Sequence, residues 1–110
     1  MVKVLTLIKK KYGLPREDFF RYWEYEHGPF VAGMLPGLSR YIQNHAIKIG
    51  EGEPQYDGIV EMWFDNLTTW RKARDFYAGE EGKPIRDDEE RFVDRSKMVF
   101  IISEEKIIST

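Results

Sequence analysis

Three segments of this chain alternate as strands do, yet both of their faces are apolar. Val2, Val4, Thr6 and Ile8 make one face of the first segment, and Leu5 and Leu7 populate the other. In the third strand, Val60, Met62 and Phe64 stand against Ile59 and Trp63, and Met98-Val99-Phe100-Ile101-Ile102 has no polar residue at all. Successive side chains of a strand point to opposite sides. Strands apolar on both sides are normally covered on both. Helices can cover one face of such a sheet. The simplest cover for the other is a second copy around a twofold axis. Without it the monomer would expose an apolar patch of roughly several hundred Å², which soluble proteins rarely tolerate. A homodimer is expected.

The elements between the strands are helical. Leu14-Pro15-Arg16-Glu17 starts a helix, with proline where a missing N–H costs little and acids in the first turn. Phe20, Trp23 and His27 recur at i, i+3 and i+7 on one face. Gly28-Pro29 reads as the stop, leaving His27 inward in the last turn. After the turn signal Pro36-Gly37, a strand over roughly 38–47 places Tyr41, Gln43 and His45 on one side. Arg40, Ile42 and Asn44 take the other. The polar run Gly50 to Pro54 is the hairpin tip, and Asp57-Gly58 leads the next strand.

Asp65 or Asn66 caps a second helix carrying Leu67, Trp70, Ala73 and Tyr77, broken by Gly79 to Pro84. Asp87 to Asp94 supplies a further helical turn or two, with Phe92 and Val93 facing inward. The tail Lys106-Ile107-Ile108 is a candidate edge pairing. The order is βαββαβ with a small insert. It predicts an α+β fold, a ferredoxin-like sandwich with a four-stranded antiparallel sheet and helices on one face, in a single domain over 1–110.

Composition narrows function. An aromatic share of 15% in 110 residues implies a core of large pieces, an interface, or a cavity for an apolar ligand. A net charge of −2 with mixed signs argues against nucleic acid. The absence of cysteine removes disulfides, thiol nucleophiles and thiolate metal sites. The apolar run at the start is too short for a signal peptide, and nothing approaches a membrane span. A cytoplasmic protein is expected.

The chain resembles the EthD domain proteins of the dimeric α+β barrel superfamily. The resemblance rests on Phe20-Arg21-Tyr22-Trp23, His27-Gly28-Pro29, Leu35-Pro36-Gly37-Leu38 and Arg40-Tyr41-Ile42-Gln43-Asn44-His45. It continues through Tyr56 to Asp65 and ends in Phe92-Val93-Asp94-Arg95-Ser96. It implies a dimer with an apolar cavity between sheet and helices in each subunit. Related barrels include lactone isomerases and polyketide cyclases that use no metal or organic cofactor, and also oxygenases. The EthD name itself comes from a protein associated with oxidative degradation of an alkyl ether.

A histidine at this helix end serves as the acid/base group in the lactone isomerases, and His27 stands on that pattern. A helix C-terminus favours charged imidazole. The alternative is a histidine that merely caps the last carbonyls. Tyr41 beside a histidine can polarise a carbonyl or hold an enolate oxygen, or can simply pack on the sheet. Asn44 is a neutral group for orienting substrate if its face is the cavity side, and His45 is a weaker candidate near the strand end. Glu61 on an apolar face must be paired, protonated or functional, with Arg40 or another strand arginine as the expected partner. Phe20, Trp23, Phe30 and Trp63 are candidate cavity walls. A metal site would need His27, His45 and Glu61 to converge, and no tight ligand spacing supports one. No metal and no cofactor are expected. The leading reading is acid/base chemistry by His27 on a small apolar, aromatic or lactone-like carbonyl compound. An EthD-type oxidoreductase or pathway accessory, and a non-catalytic dimeric binder of an apolar metabolite, are the alternatives.

Overall fold

The alternation of the first strand is realised as β1 (Val2–Ile8), which pairs antiparallel with β3 (Gly58–Phe64) on one side and β4 (Val99–Ser103) on the other. The computed structural model describes residues 1–110. β2 (Arg40–His45) lies outside β3, so the sheet order is β2-β3-β1-β4. This is the four-stranded antiparallel sheet of a ferredoxin-like α+β fold. Register decides which side chains share a face. Thr6 stands opposite Val60 and Phe100, and Gln43 also stands opposite Val60. These residues, with Val4, Ile8, Phe64 and Tyr41, therefore face the helices. The strands that open and close the chain are shorter or shifted by a residue or two from the sequence expectation, and 104–110 forms no strand.

The first helix departs from expectation in an instructive way. Gly28-Pro29 does not end it. α1 (Arg16–Tyr22) runs through a π-helical turn, Trp23–His27, directly into α2 (Gly28–Met34). The Gly28 N–H bonds the Trp23 carbonyl five residues back. Pro29, which has no N–H to donate, then occupies the second position of α2, directly after the wide turn. His27 is thus held in mid-helix by a wide turn rather than frayed at an end.

α3 (Leu67–Ala78) is capped by Asn66, whose Oδ1 accepts from the Thr69 N–H at 2.9 Å. α4 (Lys83–Glu89) begins four residues before the predicted turn, because Pro84 starts this helix as well as closing the preceding loop. Phe92 and Val93 are buried as expected. They pack with Ile8, Phe19, Trp23 and Val60, while Val4, Phe64 and Ala73 form a second cluster. Trp23 lies so close over β3 that a Cβ at Gly58 would fall 2.4 Å from its ring. Only glycine fits there.

No helix covers the other sheet face. Leu5, Leu7 and Ile42 are half-buried there, while Ile59, Val99 and Ile101 are exposed. No helix of the chain is long and apolar enough to cross a membrane.

Candidate active site

The π turn that carries the chain past Pro29 also aims His27. The Trp23 carbonyl accepts both the Gly28 N–H and the side-chain amide of Gln43, the latter at 2.9 Å. A Cβ on Gly28 would lie 2.5 Å from Gln43 Nε2, so glycine lets β2 approach the helix. On the next residue back, His27 turns inward and is almost fully buried. Its ring packs on Phe92 at 4.7 Å between centroids.

His27 is not solitary. Its Nδ1 lies 2.7 Å from Asp88 Oδ2 on α4, and the other Asp88 oxygen accepts from the Tyr22 hydroxyl. With the Asp88 oxygen as acceptor, Nδ1 carries the proton of the ring and donates a hydrogen bond to it. No protein group hydrogen-bonds His27 Nε2. Burial pulls the imidazole pKa below its ordinary value, against the opposing pull of Asp88. The expectation of a helix end favouring the charged form is therefore replaced. The neutral ring, with its basic nitrogen bare, is the favoured state.

α4 reaches both long helices through adjacent residues. Asp88 bonds His27, whereas Glu89 accepts from the Tyr77 hydroxyl on α3 at 2.6 Å and from Arg95 Nε at 3.2 Å. Arg86, one turn earlier, donates to the Tyr77 and Gly79 carbonyls and so holds the end of α3 against α4. Burial dominates Glu89 and raises its pKa despite these partners. The same burial, with the Glu89 carboxyl beside it, raises Tyr77.

These groups line a cavity of about 410 Å³ between the sheet and the helices. Of its 22 lining residues, 18 are hydrophobic, which selects for a largely apolar occupant. An apolar cavity of about 150 Å³ holds benzene. This one therefore has room for a molecule of one or two rings. Phe100 and Ile102 of β4 form part of the wall and remain exposed, marking the side where the cavity opens. Thr6, on the β1 wall, has a buried hydroxyl with no protein partner.

Tyr41, His27 and Trp23 all line this cavity. Burial raises the Tyr41 pKa, so its hydroxyl stays neutral. That hydroxyl accepts from Gln43 Nε2 at 3.3 Å, leaving its own proton free to donate. His45 does not enter the cavity. Its ring stacks on Phe20 and Trp23 at 4.8 and 4.6 Å, and its Nε2 donates to Gln43 Oε1 at 2.8 Å. The pair supports Tyr41 from behind. Phe20 belongs to that stack, and Phe30 lies at the surface.

Asn44, Glu61 and Trp63 lie on the opposite, open sheet face, because the β2–β3 register sets Asn44 opposite Ile59 and Arg40 opposite Trp63. Glu61 is paired, but with Lys3 at 3.1 Å and Asn44 at 2.8 Å rather than with Arg40. Lys3 stands opposite Trp63, two residues from the Leu5–Glu61 pair, and so reaches Glu61 diagonally between β1 and β3. These contacts lower the Glu61 pKa, the Asn44 bond most. His27, His45 and Glu61 therefore do not converge, and no group of three potential metal ligands is present. Asp88 and Glu89 were invisible to sequence reasoning, since Asp88 is 61 residues from His27. The only sequence signal was the inward Phe92-Val93 pair, which places the preceding helical turn against the core.

Comparison with known proteins agrees with this fold. The fold matches an ethyl tert-butyl ether D (EthD) family protein from Bacillus halodurans C-125, with TM-score 0.72 and 23% identity over 96% of this chain and 99% of that one. It also matches an EthD-like protein from Ralstonia eutropha JMP134, with TM-score 0.72 and 18% identity over 99% and 95% of the two chains. A dimeric protein of unknown function with a ferredoxin-like fold from Bacteroides fragilis NCTC 9343 matches with TM-score 0.64 and 14% identity over 94% and 95%. Comparison with curated protein sequences returns no significant match. The family profile described as the EthD domain matches residues 11–96, which include every cavity-lining side chain on the helices, and the chain belongs to the EthD domain family.

Proposed function

We propose that this chain is an enzyme that moves a proton on a small apolar carbonyl compound, aromatic or lactone-like, held in the cavity beside His27. The observation that carries this reading is the pairing of His27 Nδ1 with Asp88 while Nε2 has no protein partner in an apolar cavity. A buried neutral imidazole so oriented is a base for a carbon-bound proton next to a carbonyl. Asp88 fixes the tautomer and stabilises the imidazolium formed when Nε2 takes the proton. The Tyr41 hydroxyl donates to the oxygen on which negative charge develops. The apolar wall excludes water from the reacting atoms.

A second copy of the chain covers the open sheet face. Ile59, Val99 and Ile101 are exposed there, and the Bacteroides neighbour is described as dimeric. Ile59→Lys should convert a dimer to a monomer in light scattering; an unchanged mass in both proteins would remove that assignment.

The test of activity is exchange of α-protons for deuterium in ketones and lactones of one or two rings, 2-tetralone among them, followed by NMR. His27→Ala should slow exchange by about a thousandfold while ligand affinity changes little. Exchange at the parental rate in that variant would refute the proposal. Tight binding with no exchange in the parent protein would support a carrier of apolar metabolites, a reading favoured by the predominance of hydrophobic lining residues.

A further inference from the structure

The cavity holds a second ionisable group that the His27 reading does not use. Glu89 is buried and lines the same wall, yet its carboxyl is bonded on one oxygen only. Oε1 accepts from both Tyr77 and Arg95, whereas Oε2 has no hydrogen-bond partner in the protein. Of the two oxygens, the one without donors is the one free to carry a proton. Consecutive residues of α4 thus serve the cavity differently: Asp88 acts through His27, and Glu89 faces it directly.

We infer that Glu89 is a catalytic residue of this site, a neutral carboxylic acid whose Oε2–H protonates the carbonyl oxygen of the substrate while His27 Nε2 removes the α-proton. The inference rests on the proton-transfer reading given above. The step balances within the protein and its ligand. The C–H electron pair becomes the carbon–carbon double bond, and the carbonyl π pair moves to oxygen. The oxygen takes the Glu89 proton, giving an enol, an imidazolium and a carboxylate. Reversal restores all three groups and, where the enol is conjugated with a further carbon–carbon double bond, can return the proton to the γ-carbon instead. Tyr77 and Arg95 receive the negative charge that appears on Glu89 during the step, which is the physical reason for both donors on Oε1. Burial raises the pKa of this carboxyl, against the opposing pull of its Tyr77 bond and of the Arg95 and Arg86 charges. The ligand class is consequently an enolisable ketone or lactone in a largely apolar skeleton.

The test compares Glu89→Gln with the parent protein and His27→Ala, using 2-tetralone in deuterated water across the neutral range. Glu89→Gln keeps the shape of the side chain and an oxygen for Tyr77. It should slow exchange by about 100-fold with half-saturation unchanged, and should remove the fall in rate at higher pH that follows ionisation of the acid. Parental exchange with the parental pH profile would overturn the assignment. Carbon-13 NMR of the carboxyls, with Glu89 identified by its loss in Glu89→Gln, reads the group without turnover. A carboxyl that titrates above the ordinary glutamate range and shifts when 2-tetralone is added supports the inference. One that titrates at or below that range overturns it, whatever the exchange rate. Exchange that survives in His27→Ala but falls in Glu89→Gln would instead remove the role of His27 and leave that of Glu89.

Discussion

Two buried polar centres of this protein differ in one respect, and that respect separates structure from chemistry. Asp57 is 0% exposed, and both of its carboxyl oxygens are occupied. Oδ2 accepts from the Lys10 N–H at 2.8 Å and Oδ1 from Arg16 at 2.9 Å, with Lys9 at 3.6 Å. Its backbone joins in, donating to Ile8 and accepting from Ala46. Asp57 thereby ties the exit of β1, the start of α1 and the end of β2 into one node. The cavity groups are bonded by half. His27 has Nδ1 satisfied and Nε2 bare, Glu89 has Oε1 satisfied and Oε2 bare, and the Thr6 hydroxyl has no partner. Buried polar groups are normally satisfied; the Thr6 hydroxyl is one of two fully buried side-chain atoms that are not, the other being Trp63 Nε1 on the open sheet face. A saturated node holds a fold together, whereas bare atoms collected around one apolar cavity leave work for a ligand.

Perturbing each centre should give opposite signatures. Asp57→Ala removes one side of a buried charge network and should cost about 3–5 kcal/mol of stability, read from denaturant unfolding. Loss of less than about 1 kcal/mol would show that the node is not structural. Asp88→Asn should act mainly on rate. An amide in place of the carboxylate no longer fixes the tautomer, and α-proton exchange should fall by about 100-fold with a much smaller change in unfolding midpoint.

Gly28→Ala joins the two regimes. The new Cβ displaces the Gln43 amide from the Trp23 carbonyl, costing about 1–2 kcal/mol in stability and loosening Tyr41. Unchanged stability would mean that the close approach of β2 to the helix is unimportant.

The smallest effect is in pH dependence. The Glu89 pKa is raised on folding, so the stability linked to its proton is present below the ordinary glutamate range and is lost as pH rises through the folded value. The His27 pKa is lowered on folding, so its neutral form stabilises the fold above about pH 6.5, and that stability declines as pH falls from there toward the folded value. The stability of Glu89→Gln relative to the parent should therefore improve as pH rises. A difference that stays flat with pH would contradict burial of an acid at this position.

How much of this was legible in the sequence follows from the range of the interactions. Faces of β1 and β3 followed directly from alternation, and the cap before Leu67 was narrowed to Asp65 or Asn66, of which Asn66 caps the helix. Tyr41, Gln43 and His45 were read as sharing a face, and the register with β3 turns that face to the helices. Gly28-Pro29 misled because a glycine-proline pair is locally a stop signal. The π turn that accommodates it depends on the Trp23 carbonyl and on Gln43 arriving from another strand. The cavity side of Asn44, Glu61 and Trp63 depended on where the helices pack, which no local pattern states. Asp88 and Glu89 sit in a charged run that reads as solvated surface. Only the burial of Ile85, Phe92 and Val93 around them brings that turn against His27 and Tyr77.

The most direct measurement is nitrogen-15 NMR of the His27 imidazole at neutral pH, assigned by its loss in His27→Ala, before and after addition of 2-tetralone. The account predicts a neutral ring with its proton on Nδ1 toward Asp88, a bare Nε2, and a shift of the Nε2 signal when the ketone enters the cavity. A ring protonated on Nε2, or an Nε2 signal indifferent to the ketone, would contradict it.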